Sequence, residues 1–546
     1  MIMSLSEWLF AGKASALTSF FSAEFFVIFL PICIMGYVVI PQKLKKYFLL
    51  LASYIFYWLI SGKLITYLIL STISVHYFGL WLDRVQTQLK AALSGKDKEE
   101  KKHIKKQYIK KQRGIVLFAV LLHIGGLIVI KYSPFIFTNA NKVFTMMGHP
   151  FQFDIPTYLM PIGISFFSLQ ALSYILDVYH GITKADENLG RLALFLAFFP
   201  QIIEGPICRY NQTAEKLWNV RQISYQNLAD GLIRFLYGMM KKVVIADRLD
   251  PFVTLIFDEF DNYEGGMIAI AAVCYTIQLY MDFSGTMDAV IGIAQIFGVE
   301  LPENFRRPFF SKTVSEFWQR WHVSLGAWFK DYIFYPVTTS SHSKKITSFA
   351  RKKIGNYYGP MIAGIIALFC VWFCNGLWHG SGWNFIFFGM YHFVLISVGN
   401  LIAPPVKALN KKLHINPDWL VYRILQMIRT FILVVIGELF FRGNGLKCGL
   451  LMFKKMISNF SFSTINAELL VKCNIDIYDF MIIGFVLIIV FVVSLLNEKG
   501  IMIRSSLASK NLVLRWAVYY ALIMIIVIFG AYGPGYIPVD PLYAQY

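Results

Sequence analysis

Long apolar runs succeed one another along most of the chain, each closed by a short polar stretch or by glycine and proline. They occupy residues 23–40, 47–60, 64–82, 115–130, 161–179, 192–207, 228–246, 267–281, 286–299, 361–378, 383–401, 424–441, 480–496 and 512–530. A bilayer-spanning helix needs about 20 mostly apolar residues. Several of these runs are shorter or carry Gly and Pro inside, the mark of tilted or re-entrant helices rather than full crossings. The pattern predicts an all-α, polytopic membrane protein with about 11–13 transmembrane or re-entrant helices. No long-period repeat is visible, so residues 1–546 read as a single integral-membrane domain. No cleaved signal peptide is expected, because no basic stretch leads into a small-residue cleavage site at the N-terminus.

Composition sharpens this reading. Hydrophobic residues make up 57% of the chain before glycine is added, and charged residues only 15%, against about 45–50% and about 25% in soluble domains. Water cannot be the only solvent for such a chain. The formal charge of +19 would suit nucleic acid in a polar protein; here it fits cytosolic membrane loops, and no nucleic-acid partner is expected. The basic residues gather between Arg84 and Arg113, where eleven Lys/Arg meet three Asp/Glu. The positive-inside rule makes this a cytosolic loop. It reads as a solvated topogenic helical loop, or as a docking surface for an acidic partner or anionic lipid. Further basic patches at Lys344, Lys345, Arg351, Lys352 and Lys353 and at Lys407, Lys411 and Lys412 belong on the same side. The runs between them then form a hairpin. The stretch from Gly359 to His379 rises roughly 30 Å as a helix, which carries His379 into the outer half of the membrane.

Polar side chains inside lipid are expensive and are functional candidates by default. The densest group is Phe317-Trp318-Gln319-Arg320-Trp321-His322, continuing to Trp328, Asp331 and Tyr332. It reads either as an interfacial amphipathic helix or as a segment where His322 lines an entrance to the membrane interior. The second group is Asn375-Gly376-Leu377-Trp378-His379-Gly380-Ser381-Gly382-Trp383. Its glycines allow close backbone approach and a turn at membrane depth. His379 among them is either a structural helix-end residue or a general base in a small cavity. In the third group, Asp282 and Asp288 flank Ser284 and Gly285. A helix break is expected at Gly285, with the carboxylates capping helix ends or lining a polar tunnel. Zinc, phosphate-loop and nucleophile-elbow motifs do not occur in the sequence, and its His and Cys residues lack tetrahedral ligand spacing, so no catalytic metal is expected.

Taken in order, these stretches resemble the membrane-bound O-acyltransferase family. The similarity runs through Pro161-Ile-Gly-Ile-Ser-Phe, Phe199-Pro200-Gln201 to Gly205-Pro206, Lys241-Lys242, Asp282-Phe283-Ser284-Gly285 and Pro302-Glu303-Asn304-Phe305. It continues through Phe317 to His322, Asp331-Tyr332, Gly376-Leu377-Trp378-His379-Gly380, Phe440-Phe441-Arg442 and a Tyr532-Gly533 to Tyr536 ending. The nearest branch holds bacterial alginate and peptidoglycan O-acetyltransferases and the D-alanyl transfer protein of teichoic acids. The chain departs from the family's pattern at Thr286-Met287 and at Pro336-Val337-Thr338-Thr339.

The resemblance implies helices around a membrane-crossing tunnel, with the acyltransferase core at about residues 161–443. The activity implied is transfer of an acyl group, acetyl by preference, to a hydroxyl of an exopolysaccharide or cell-wall polymer, or to a partner that delivers it. His379 and His322 take the catalytic positions, and Asp282, Ser284, Asn375, Trp378, Trp321, Arg320 and Asp331 line the substrate path. The donor would be acetyl-CoA or an acyl-carrier thioester from the cytosol. An extracytoplasmic acetyltransferase- or esterase-like partner could complete delivery, and the home would be a bacterial cytoplasmic membrane. D-alanyl transfer from a carrier protein to lipoteichoic acid is one alternative. A transporter or flippase for a polar lipid-linked substrate is the other.

Overall fold

The computed structural model describes residues 20–219, 222–463, 467–473 and 475–532; the Gly533–Tyr536 part of the family-like ending lies outside them. Among the described residues all regular structure is helical. Eight segments among the described residues are long and apolar enough to cross a membrane: Gln42–Leu93, Lys98–Met146, Gly265–Ile296, Ser341–His379, Trp383–Lys412, Leu420–Arg442, Ile477–Glu498 and Leu512–Phe529. The first of these holds two of the apolar runs, at 47–60 and 64–82. Other runs form shorter helices such as Ile164–His180, which is buried along nearly its whole length. Leu512–Phe529 shows the opposite case. Val513, Val527 and Ile528 are exposed and Ile526 is its one buried residue, an apolar surface suited to lipid.

The described residues group into two compact units, those within 1–232 and 290–302 and those within 233–289 and 303–546. In the first, Phe25, Phe29, Phe56, Phe199 and Phe297 build an aromatic core. Ser53 Oγ accepts a hydrogen bond from the Phe199 backbone N–H at 3.1 Å. The basic stretch forms the far end of a helical hairpin. Ile65–Leu93 turns at Ser94–Asp97 into Lys98–Leu127, whose N-terminus is capped by Asp97 through the Glu100 N–H. The charged half is solvated while Ile115, Ala119, His123 and Leu127 are buried.

The second unit holds all the candidate site residues. The helix Gly265–Ile296 runs without interruption through Gly285, so the break expected there does not occur. Its glycine serves packing instead. A Cβ on Gly285 would stand 2.8 Å from the Gly238 carbonyl, and one on Gly238 would stand 2.4 Å from the Gly285 carbonyl. Two helix backbones touch there because neither carries a side chain. The contact brings the π-helical turn Met240–Ala246 against the carboxylates of the long helix. Lys242 bridges Asp282 and Asp247 at 2.6 and 2.7 Å. Lys241 meets Asp288 at 2.6 Å and donates to Ser284 at 2.9 Å. Arg234 joins Asp288 and grips Glu303 with two nitrogens. Each buried cation in this lattice is matched by a carboxylate. Removing one member of a buried pair typically costs about 3–5 kcal/mol.

Candidate active site

His379 ends the helix Ser341–His379, and Trp383–Lys412 begins after an extended Gly380 and Gly382. The two helices lie close because their facing positions are glycines. A Cβ on Gly389 would come within 2.3 Å of the Trp372 carbonyl, and one on Gly376 within 2.6 Å of the Phe385 carbonyl. A kink at Gly355, with φ of 85°, separates the basic start of the first helix from its apolar remainder. Asn384 then donates to the carbonyls of Phe441 and Gly443 at 3.2 and 3.4 Å. This fixes the end of Leu420–Arg442 beside the turn. His379 is buried there, edge-on to Phe441 and Phe388 with ring centroids 5.2 and 5.9 Å away.

His322 is held differently. It links two short helices, Val314–Arg320 and Val323–Phe329, in the left-handed conformation with φ 46° and ψ 52°. A non-glycine residue there costs about 1–3 kcal/mol and persists only where its surroundings enforce it. Asn304 does the enforcing. Its Oδ1 accepts from the Ser324 backbone N–H at 3.0 Å and from the Ser324 hydroxyl at 2.9 Å, and its backbone carbonyl accepts from Val323. The same Oδ1 lies 3.2 Å from His322 Nδ1. An oxygen that accepts a backbone N–H is the carbonyl end of the amide, so His322 Nδ1 carries the proton and Nε2 carries the lone pair. Burial pushes the His322 imidazole down to about 3, so it stays neutral at physiological pH.

The two histidines line one small cavity, together with Trp318, Trp321, Leu325, Phe329, Val371, Trp372 and Asn375. Trp378 stands edge-on to both imidazoles, with centroids 5.6 Å from His322 and 4.9 Å from His379. A mostly apolar chamber lined by two imidazoles suits proton transfer at a hydroxyl.

The structure thus brings His379, His322, Asn375, Trp321 and Trp378 together. The other candidates stand apart from the cavity lining. Asp282 and Ser284 belong to the buried ion lattice. Arg320 pairs with Glu498 and Glu316. Asp331 is exposed in the turn Lys330–Phe334. Asn304 and Trp318 were within the family-like runs but carried no assigned role. Asn304 acts only through the fold, and Trp318 was indistinguishable in sequence from the neighbouring tryptophans.

The cavity geometry is compatible with proton transfer at a hydroxyl, and comparison with known proteins gives the class. The pattern of the MBOAT, membrane-bound O-acyltransferase family matches residues 183–351. A protein of Pseudomonas aeruginosa named "Probable alginate O-acetylase AlgI" is 31% identical over 84% of this chain and 77% of its own length. The chain belongs to the membrane-bound O-acyltransferase family. The "Peptidoglycan O-acetyltransferase" of Helicobacter pylori is 28% identical over 79% of this chain and 78% of its own. The "Teichoic acid D-alanyltransferase" of Bacillus subtilis is 28% identical over 56% of this chain and 74% of its own. Family membership makes the chain a multi-pass membrane acyltransferase and sets the transporter reading aside.

Proposed function

We propose that the protein O-acetylates an exopolysaccharide or cell-wall polymer, directly or through an extracytoplasmic partner, in a bacterial cytoplasmic membrane. The observation that carries this reading is the single cavity shared by His322 and His379. The wider coverage of the O-acetyltransferase relatives, compared with the D-alanyltransferase, favours acetyl as the group moved.

Acetyl-CoA reaches the cavity from the cytosol and the acceptor hydroxyl from the other side. An imidazole nitrogen of His379 takes the hydroxyl proton as the oxygen attacks the thioester carbonyl. The carbon–sulfur bond then breaks, and the departing thiolate takes that proton back from His379. The new ester and free thiol leave, so atoms and charge balance without a redox partner. His322, neutral and with its lone pair on Nε2, positions the donor by accepting a hydrogen bond. Purified protein in liposomes with labelled acetyl-CoA inside and oligosaccharide outside tests the reading. Label on the oligosaccharide hydroxyls supports it. Label transferred only from a D-alanyl carrier thioester would replace it with D-alanylation.

A further inference from the structure

The helix that ends at His379 begins with residues 341–354, which are built unlike its apolar remainder. Gly355, with φ of 85° and ψ of 178°, breaks the helical path between the two parts. A Cβ on Gly359 would stand 2.5 Å from the Arg351 Cα and 3.0 Å from the Ala350 carbonyl carbon. Along a straight helix, positions 351 and 359 would lie about 12 Å apart. The chain therefore turns a sharp corner at Gly355, and residues 341–354 leave the line of the span that follows.

Successive helical residues turn by about 100°, which gathers Lys344, Lys345, Arg351 and Lys352 on one side of this segment and Ile346, Phe349, Ala350 and Ile354 on the other. His342 and Lys353 interrupt the apolar side, where the long Lys353 stem lets its ammonium reach back towards water. Ser343 and Ala350 are buried against the protein, whereas Ile346, Phe349 and Ile354 remain 38%, 66% and 47% exposed. All five cations are exposed, and none forms a salt bridge among the described residues.

The basic hairpin at 84–113 makes the useful contrast. It carries more cations, but none of the exposed large hydrophobic side chains falls between Trp81 and Leu117, so water suits it throughout. Cations and exposed apolar side chains on one helix suit the boundary between headgroups and acyl chains instead. A soluble phosphate compound could engage the cations but would leave Phe349 and Ile346 in water. Basic residues beside a span mark its cytosolic end, and the span begins directly after the corner. The cytosolic leaflet thus reaches this helix without any further protein.

We propose that residues 341–354 form an amphipathic helix lying in the cytosolic headgroup layer and binding anionic phospholipid. Phe349 and Ile346 enter the acyl-chain boundary, and Lys344, Lys345, Arg351 and Lys352 meet the lipid phosphates. The inference needs a membrane protein but neither the acyl group nor the acceptor, so it stands or falls apart from the acetylation reading.

The test places a fluorescent amino acid at position 349 of the full-length protein in vesicles of phosphatidylcholine and phosphatidylglycerol. One lipid at a time carries bromine on its acyl chains, which quenches a fluorophore that touches them. At equal mole fraction and low salt, brominated phosphatidylglycerol should quench about twofold more strongly than brominated phosphatidylcholine. The preference should vanish at about 0.5 M NaCl, which screens exposed charge. It should vanish also when Lys344, Lys345, Arg351 and Lys352 are together replaced by Gln, with quenching by the neutral lipid retained. Equal quenching by the two lipids at low salt would overturn the proposal and leave the patch a topological signal only. Absence of quenching by either would put position 349 in water and overturn it as well. A preference that acetyl-CoA abolishes would make the patch a nucleotide-phosphate site, again contradicting the lipid assignment.

Discussion

The second unit contains two buried polar regions built on opposite rules. Around Lys241 and Lys242 the charges are matched inside the protein: Asp247, Asp282 and Asp288 each face a cation within 2.9 Å. Around His322 and His379 the buried side chains line a cavity, and Trp318 Nε1 and Asn375 Oδ1 have no hydrogen-bond partner among the described residues. The sequence makes both regions equally conspicuous, since each sets titratable side chains among apolar ones. Pairing tells them apart. A polar group whose partner is another part of the fold holds the fold, and one whose partner must arrive from outside is placed to bind or react.

Substitutions should split along that line, with the largest effect in the cavity. His379→Ala is expected to lower turnover by about 10²–10⁴-fold at saturating donor, with yield and melting temperature near wild type. Asp282→Ala should do the reverse, leaving Lys242 with less compensation and lowering stability by about 3–5 kcal/mol. Thermal unfolding in detergent measures it, and an Asp282→Ala protein of unchanged stability and lost turnover would move Asp282 into the reaction.

The cavity can be divided further. At His322 the left-handed backbone suits Asn far better than Ala, and an amide can also keep the bond to Asn304. His322→Asn should therefore retain more activity and expression than His322→Ala, the difference lying mainly in donor affinity. Equal losses in the two would show that the imidazole itself is required.

A smaller effect is expected from Asn304→Asp, read by pH. The new carboxylate beside Nδ1 favours the imidazolium and raises the His322 pKa from its depressed value. Protonation then removes the Nε2 lone pair at a higher pH than in wild type, so the variant loses activity earlier than wild type as pH falls. Parallel pH profiles would contradict the tautomer assigned to His322.

Much of this was legible in the sequence. Apolar run length identified a helical membrane protein, and the ordered motifs brought out both histidines together with Asn375, Trp321 and Trp378. Two things were not legible, for physical reasons. Gly285 has the same appearance whether it breaks a helix or admits a neighbouring backbone, and only the position of Gly238 decides. Asp282 and Ser284 resemble tunnel residues until Lys241 and Lys242 are seen turned toward them by a π-helical turn, which local sequence does not announce. Asn304 was hidden for a related reason. Its work is to accept four hydrogen bonds around a strained His322, three at Oδ1 and one at the backbone carbonyl, a role defined by geometry rather than by residue type.

The central claim is that the acyl group sits in the cavity against His379. Chloroacetyl-CoA, an electrophilic copy of the donor, tests it directly, because its reactive carbon lies next to the carbonyl that would be attacked. Peptide mass spectrometry should find the alkylation on His379, suppressed by excess acetyl-CoA and absent from His379→Ala. Acetyl-CoA-protectable alkylation at a site away from the cavity, with His379 unmodified, would contradict the account.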